Sequence, residues 1–341
     1  MGWVTVIGPA MEQVDYRLRA SAGCSLHHGD GEEDAQVDYR LGDGLDEDLE
    51  LTWIGEGLRD VGIEPGTVME GEVDRNKARA LMSGVHPGIG EVLVAPRMLT
   101  DPRGKLPAGP LVAAIIARAE ARGLDVKQLL AGEDGFPDWA FKRFATAERG
   151  LKREGEVYRI SFKDAVRLAR VAGVELAGHY SAEALETARK FQNSKVRVGL
   201  RGFDVVVDLD KGTSGLWAIA PPALAKDILA THKAAITEGF VHFERWVSYT
   251  KAGHNEGGSP AAIVPSSGLL GWLMPHQVAR PVDGAAPDPH VHTHIVIAHL
   301  AHAEDGKWRT IGAGGRDVHR MAHALDSFIK ARFRALTAER Y

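Results

Sequence analysis

Four histidines fall within the twelve residues DPHVHTHIVIAH (288–299), three of them at alternating positions: His290, His292 and His294. On a β-strand, residues i and i+2 point to one face, about 7 Å apart. Neighbouring imidazoles such as His292 and His294 can therefore converge on one cation. All three in a line would span about 14 Å, too far for one ion with bonds of about 2 Å. A third ligand is better drawn from an adjacent strand, and His276 sits in the preceding strand-like run. An antiparallel pair would bring it alongside. The alternative is a polar strand edge with no special chemistry. Three neutral imidazoles suit a divalent ion such as Zn, Mn, Ni or Co. They leave coordination positions open and keep the ion's full charge for an anion such as a phosphate.

The chain shows no Ser–His–Asp or Cys–His arrangement to act as nucleophile. It does repeat VDYRL, at 14–18 and 37–41, placing Tyr16 and Tyr39 in identical surroundings. A phenol of pKa near 10 is a weak nucleophile at neutral pH. It needs a cation and a base nearby.

The elements that must position these groups are legible in part. The 341 residues carry 44% hydrophobic and 26% charged side chains and a net charge of −5, an ordinary balance that argues weakly against non-specific nucleic-acid binding. Cys24 is the only cysteine, so no intrachain disulfide forms and any metal rests on His, Asp or Glu. There is no apolar run of the roughly 18–20 residues a membrane span needs and no basic, hydrophobic leader. We therefore expect a cytoplasmic protein with no membrane insertion. No GxxxxGK[ST] phosphate loop is present.

Residues 3–7 read as a strand, 8–22 as a helix or turn, and 25–50 as a polar, acidic loop. WIGEGLRDVGIEPG (53–66) reads as a helix and turn. From about 70 to 195 the apolar spacing is helical, with Ser161 and Ser181 as N-caps. Basic stretches at 142–170 and 189–201 read as solvated helix faces, with DNA contact as the alternative. From 196 the period changes. VRVGLRGFDVVVDLD reads as a strand ending in the turn DKGTSG, 221–246 as a long helix, 261–280 and 290–301 as strands, and 315–340 as a final helix. Trp217, Trp246 and Trp272 are expected in the core. The domains expected are an N-terminal segment 1–69, a mainly helical insertion 70–195 and a core 196–341.

HQVARPVDGAAPDPHVHTHIVIAH (276–299) resembles the motif of F-plasmid-type (MobF-like) conjugative DNA relaxases, members of the HUH endonuclease superfamily. Their pattern is a histidine, three residues, an arginine, a loop, then Asp-Pro, any residue, an apolar position and His-Thr-His. Here it falls on His276, Arg280, Asp288-Pro289 and Val291 to His294. GFDVVVDLDKGTSGLWAI is similar to the family's Gly-aromatic-Asp strand and Lys-Ser turn, placing Asp204 and Lys211. WIGEGLRDVGI resembles its Trp-x-Gly-x-Gly segment, and DGKWRTI the turn after the metal strand. The likeness covers about 1–66 and 197–341.

The resemblance implies an α/β (α+β) palm-like fold, a central antiparallel sheet flanked by helices. It implies a metal-dependent nickase and strand transferase acting on single-stranded DNA at a transfer origin. Tyr16, or Tyr39 in second place, would form a 5′-phosphotyrosine and free a 3′ hydroxyl. His276, His292 and His294 would hold a divalent ion, Mg or Mn first, with Zn, Ni or Co as alternatives. Asp204 would orient a ligand histidine and help take the tyrosine proton. Lys211, Arg201 and Arg280 would contact DNA. Accessory relaxosome proteins and a type IV secretion coupling protein would be partners, and the chain would be a relaxase fragment or a stand-alone form. The tyrosines are single where the family has adjacent pairs, and DKGTSG departs from the Lys-Ser turn. These departures motivate a rival, an attenuated origin-DNA-binding module of the same fold. A second rival is a His-metal hydrolase using metal-bound water.

Overall fold

The computed structural model describes residues 2–18, 49–131, 137–253, 261–279 and 288–341. Tyr39 and Arg280 lie outside the described residues. Two compact units are formed, one by 1–96 with 199–341 and one by Arg97–Val198.

The first unit is built on five strands: β1 (Trp3–Ile7), β2 (Thr52–Ile54), β3 (Gly202–Asp208), β4 (Gly271–Val278) and β5 (Pro289–Ala298). Their order in the sheet is β1-β3-β5-β4-β2, and every neighbouring pair is antiparallel. The interior position of β3, between β1 and β5, explains its composition. GFDVVVD is buried along nearly its whole length, so both faces must be apolar, and β-branched residues fit the pleat. Helices α1 (Glu12–Tyr16), α2 (Gly71–Ser83), α3 (Lys211–Ile219), α4 (Pro222–Val247) and α5 (Arg316–Arg340) complete this unit.

Alternation along the strands divides the core in two. Phe203, Val205, Val207, Leu273, Ile295 and Ile297 face α4 and α5, packing with Ile236, Phe240, Phe243, Leu325 and Ile329. Trp272, Met274, Val296 and Ala298 face the other way, with Trp53, Ile7, Val14, Leu18 and the α2 residues Ala78, Leu81 and Met82. Each such large side chain contributes about 1.5–3 kcal/mol by leaving water. Trp217 and Trp272 lie in these cores as expected, but Trp246 is 43% exposed, since its position on α4 turns away from the sheet. Among the described residues no helix is long and apolar enough to cross a membrane.

Three sequence readings are corrected. The run 196–210 is two strands: 195–198 pairs with 97–100, while β3 joins the central sheet. The break falls at Gly199–Arg201, where Arg201 turns inward and donates to the carbonyls of Pro9 (2.7 Å) and Met82 (3.3 Å) and to Ser83 Oγ (3.1 Å). The run 261–280 likewise divides. Ala262–Pro265 forms a hairpin with Tyr249–Ala252, and only Gly271–Val278 enters the sheet. The segment DKGTSG is not a turn but the start of α3. Asp210 caps it, accepting from Thr213 N (2.9 Å) and Thr213 Oγ1 (2.8 Å).

The WIGEGL segment closes against the start of β4. Glu244, buried on α4, accepts from Glu56 N (2.9 Å) and Leu269 N (2.7 Å). Gly55 has φ +110°, and a Cβ there would lie 2.3 Å from the Leu269 carbonyl oxygen. Both conformation and space demand glycine.

The second unit has its own core, including Leu106, Leu111, Ile115, Phe144 and Leu168. Its helices are Ala108–Ala121, Val126–Leu130, Pro137–Glu154, Phe162–Ala172 and Ala182–Phe191. Ser161 Oγ accepts from Asp164 N (3.1 Å) and Ser181 Oγ from Ala184 N (3.2 Å), as the N-cap reading expects. Its first strand begins at Arg97, and α2 packs in the core of the first unit.

Gly55→Ala combines a left-handed backbone with a clash against a backbone oxygen. It is expected to lower unfolding free energy by about 2–4 kcal/mol, read as a shifted urea midpoint. An unchanged midpoint would contradict this account of the junction.

Candidate metal centre

The histidine cluster follows from strand register. His276 on β4 stands directly opposite His292 on β5, and His294 is two residues further along the same face. Their ring centroids are 5.0 Å (276–292), 4.8 Å (276–294) and 5.3 Å (292–294) apart. One ligand atom from each lies within 4.8 Å of the other two. Small side-chain rotations would close this set on an ion with bonds of about 2.1 Å. His290 stands outside the group. Its ring stacks on His292 at 4.7 Å, and its Nε2 lies 3.5 Å from Asp208 Oδ2.

Two of the rings are oriented through their far nitrogens. His292 Nδ1–H donates to the His290 carbonyl (2.8 Å), and His294 Nδ1–H donates to Asp204 Oδ1 (2.8 Å). Each bond directs Nε2 toward the cluster, the usual way a protein sets a ligand imidazole. Burial pushes the His276 ring down to about 3 and the His292 ring down to about 4, and the neighbouring rings add to the effect. Neutral rings are what a cation requires. The donor set therefore fits a divalent metal ion.

Asp204 lies at the centre of β3, in register with Thr5 of β1 and Val296 of β5. That parity puts it on the histidine face. It is 2% exposed, yet its carboxyl is held below the usual range. Burial opposes the charge, but the bonds and charges of His294 and Arg17 outweigh it. Arg17 Nε donates to Asp204 Oδ2 at 2.7 Å. Arg17 also donates from Nη1 to the Gln13 carbonyl (2.7 Å), and its own carbonyl accepts from Trp272 Nε1 (2.8 Å).

Arg17 is the residue that sequence reasoning missed. Its signal was the arginine following the tyrosine in VDYRL, a motif noted only for its phenol. Tyr16 ends α1, half-buried, with the Arg17 guanidinium carbon 5.7 Å from its ring centroid. Tyr16, Arg17, Asp204 and His294 thus form a continuous chain of contacts, which His276 and His292 join as neighbours of His294. Lys211, at the first turn of α3, pairs with Asp288 at 2.9 Å, both well exposed. Arg201, for which the resemblance implied a DNA contact, is turned inward. It is 9% exposed and bound to backbone oxygens and Ser83, which gives it a role inside the fold.

The sequence profile of the TrwC relaxase family matches residues 26–340. Among solved structures, a metal-bound conjugative relaxase TrwC in complex with oriT DNA is 14% identical, with 99% of this chain and 70% of that chain covered and a TM-score of 0.49. A metal-free structure of the same complex gives 14%, 99%, 69% and 0.48. A copper-bound one gives 14%, 99%, 70% and 0.47. No match was found among curated proteins.

Two outcomes are expected. Asp204→Asn removes the charge that orients His294 and should weaken binding of Mn²⁺ by about 10–100-fold in calorimetry. Acid should also destabilise the fold. Alongside His276 and His292, burial pushes His232 down to about 3 and His299 down to about 4. All lie below the unfolded value of about 6.5, so the unfolded chain binds more protons in between. Stability contributed by these neutral rings is complete above about pH 6.5 and is lost as pH falls toward 4 and 3. Urea midpoints should fall over that window, less steeply in His299→Leu; equal slopes would exclude His299 as a contributor.

Proposed function

Because this chain belongs to the TrwC relaxase family, we propose that it cleaves one strand of DNA at a transfer origin by tyrosine transesterification. The observation that supports this most is the contact chain from Tyr16 through Arg17 and Asp204 to the three-histidine cluster. His276, His292 and His294 would hold a divalent ion, Mg²⁺ or Mn²⁺ in this reading, which would supply positive charge to the scissile phosphate. Tyr16 Oη gives up its proton to solvent and forms the new P–O bond, the bond from phosphorus to the 3′ oxygen breaks, and that oxygen takes up a proton, so that a 5′-phosphotyrosine and a 3′ hydroxyl result. The covalent bond keeps the energy of the phosphodiester, so the reverse reaction needs no nucleotide. Imidazole donors, unlike carboxylates, would add no negative charge to offset that of the ion.

Asp204 takes the orienting part in this reading and not that of the base. One oxygen is engaged by His294 and the other by Arg17, and its carboxyl is held low. A paired carboxylate of this kind is a poor acceptor for a phenolic proton. Arg17 ties the residue next to the nucleophile to the carboxylate that aims His294. It is a positioning residue. The substrate in this reading is single-stranded origin DNA, the setting cytoplasmic, and relaxosome proteins and a secretion coupling protein are the partners.

The test is covalent adduct formation on labelled origin oligonucleotides with Mn²⁺ or Mg²⁺. Tyr16→Phe should abolish the adduct while Tyr39→Phe retains most of it. No adduct from the parent chain on any cognate strand would favour the attenuated DNA-binding module. Cleavage that survives Tyr16→Phe would favour the hydrolase.

Arg17→Lys keeps the charge but not the fork. It should slow adduct formation by about tenfold (about 1.4 kcal/mol) and weaken Mn²⁺ binding, with the melting temperature little changed. Wild-type Mn²⁺ affinity in that variant would remove Arg17 from the positioning role.

A further inference from the structure

The charge of the chain is unevenly divided. Arg97–Val198 holds 19 Lys and Arg against 13 Asp and Glu, while the remainder holds 22 against 33. An acidic protein thus carries one compact, basic, mainly helical unit. Two of its helices carry eight of those cations against four acids. Along Phe162–Ala172, Lys163, Arg167 and Arg170 are exposed at i, i+4 and i+7, while Ala165, Leu168, Ala169 and Ala172 are buried. Along Pro137–Glu154, Lys142, Arg143, Arg149, Lys152 and Arg153 are exposed, while Ala140, Phe144 and Ala147 enter the same core.

Two contacts join these outward faces. The Arg167 guanidinium lies 4.0 Å from the Trp139 ring centroid, and Arg143 Nε lies 3.9 Å from Asp164 Oδ2. An ordinary solvated face balances its cations with acids, as Lys152–Glu148 and Arg153–Glu154 do here. Arg149, Arg159, Lys163, Arg167 and Arg170 have no acidic partner among the described residues. The unit also presents no strongly exposed aromatic ring among the described residues. Single-strand binding surfaces combine cations with aromatic platforms for the bases. Long cations without such platforms suit the phosphates of a duplex.

We infer that the helices 137–154 and 162–172 form a docking face for the phosphate backbone of double-stranded DNA, apart from the strand-cleaving chemistry. This rests on the family reading only in supposing that DNA is the polyanion met. The face would keep duplex bound to the chain that carries the histidine cluster and so raise the local concentration of substrate.

The experiment uses the full chain and measures binding to a fluorescent 20-base-pair duplex and to a poly-dT strand across a KCl series. The test variant is Arg149→Glu/Lys163→Glu/Arg170→Glu, which leaves the Arg167–Trp139 contact intact. The control, Arg118→Glu/Arg122→Glu/Lys127→Glu, changes the same charge elsewhere in the unit. Circular dichroism and melting confirm folding, since all six positions are solvent-facing. Duplex affinity should fall at least about tenfold in the test variant. The slope of log K against log salt should drop by about 0.9 for each phosphate that is no longer neutralised. The control should change far less, and poly-dT binding should be nearly unaffected. Equal weakening in test and control variants, or an unchanged salt slope, would overturn the proposal. Equal weakening on poly-dT would overturn the assignment to duplex. Adduct formation on a short single strand is scored separately. If the parent forms none but still shows the duplex effect, the transesterase reading fails and this one stands.

Discussion

A carboxylate in the middle of a buried strand is the constraint around which the site is arranged. Asp204 is surrounded by β1 and β5 and is almost wholly removed from water. An unpaired charge there would cost several kcal/mol. Arg17 and His294 each take one oxygen, and the pairing has consequences on both sides. Toward the cluster it sets the tautomer and angle of a ligand ring. Toward the N-terminus it pins the end of α1, so the tyrosine beside Arg17 is held by the same group that aims the histidine. Trp272 locks the arrangement from β4 by donating to the Arg17 carbonyl.

The sheet makes this economical. In an antiparallel sheet the side-chain face is preserved from strand to strand, so a register fixed by apolar packing also fixes the polar groups interleaved with it. His276, His292, His294 and Asp204 come from three adjacent strands and share one face. The opposite face is filled by Phe203, Val205, Ile295 and Ile297 against α4 and α5. A slip of one residue in any of these strands would bury the imidazoles among leucines and expose the core. The fold and the candidate metal centre are therefore specified by one pattern.

A second compact unit lies in sequence between the tyrosine and Asp204 without disturbing that register. Its entering and leaving segments, 97–100 and 195–198, pair with each other. The chain thus departs and returns at one place, as an inserted domain should. The departure from the family's Lys-Ser turn is also accommodated locally. Asp210 and Thr213 make DKGTSG a capped helix start, and Lys211 is held by Asp288, the first residue of the Asp-Pro step before β5.

Much of this was open to sequence reasoning. The alternation HVHTH, the distance limit on three ligands of one strand, and the run of valines after Asp204 are local facts, and they pointed to His276, His292, His294 and an antiparallel sheet. Ser161 and Ser181 marked helix starts for the same reason, since a cap acts within three residues. What the sequence could not decide were partnerships over long separations. Arg17 and Arg201 are both arginines near polar stretches. One became a clamp on Asp204, 187 residues away in sequence, and the other an internal strut on Pro9, Met82 and Ser83. The two strand-like runs at 196–210 and 261–280 looked continuous because periodicity reports burial and not which sheet a segment joins. Residue type and spacing determined which groups could do chemistry. Tertiary structure alone decided which arginine reached the buried carboxylate, because only packing determines where an exposed-looking cation is desolvated and paired.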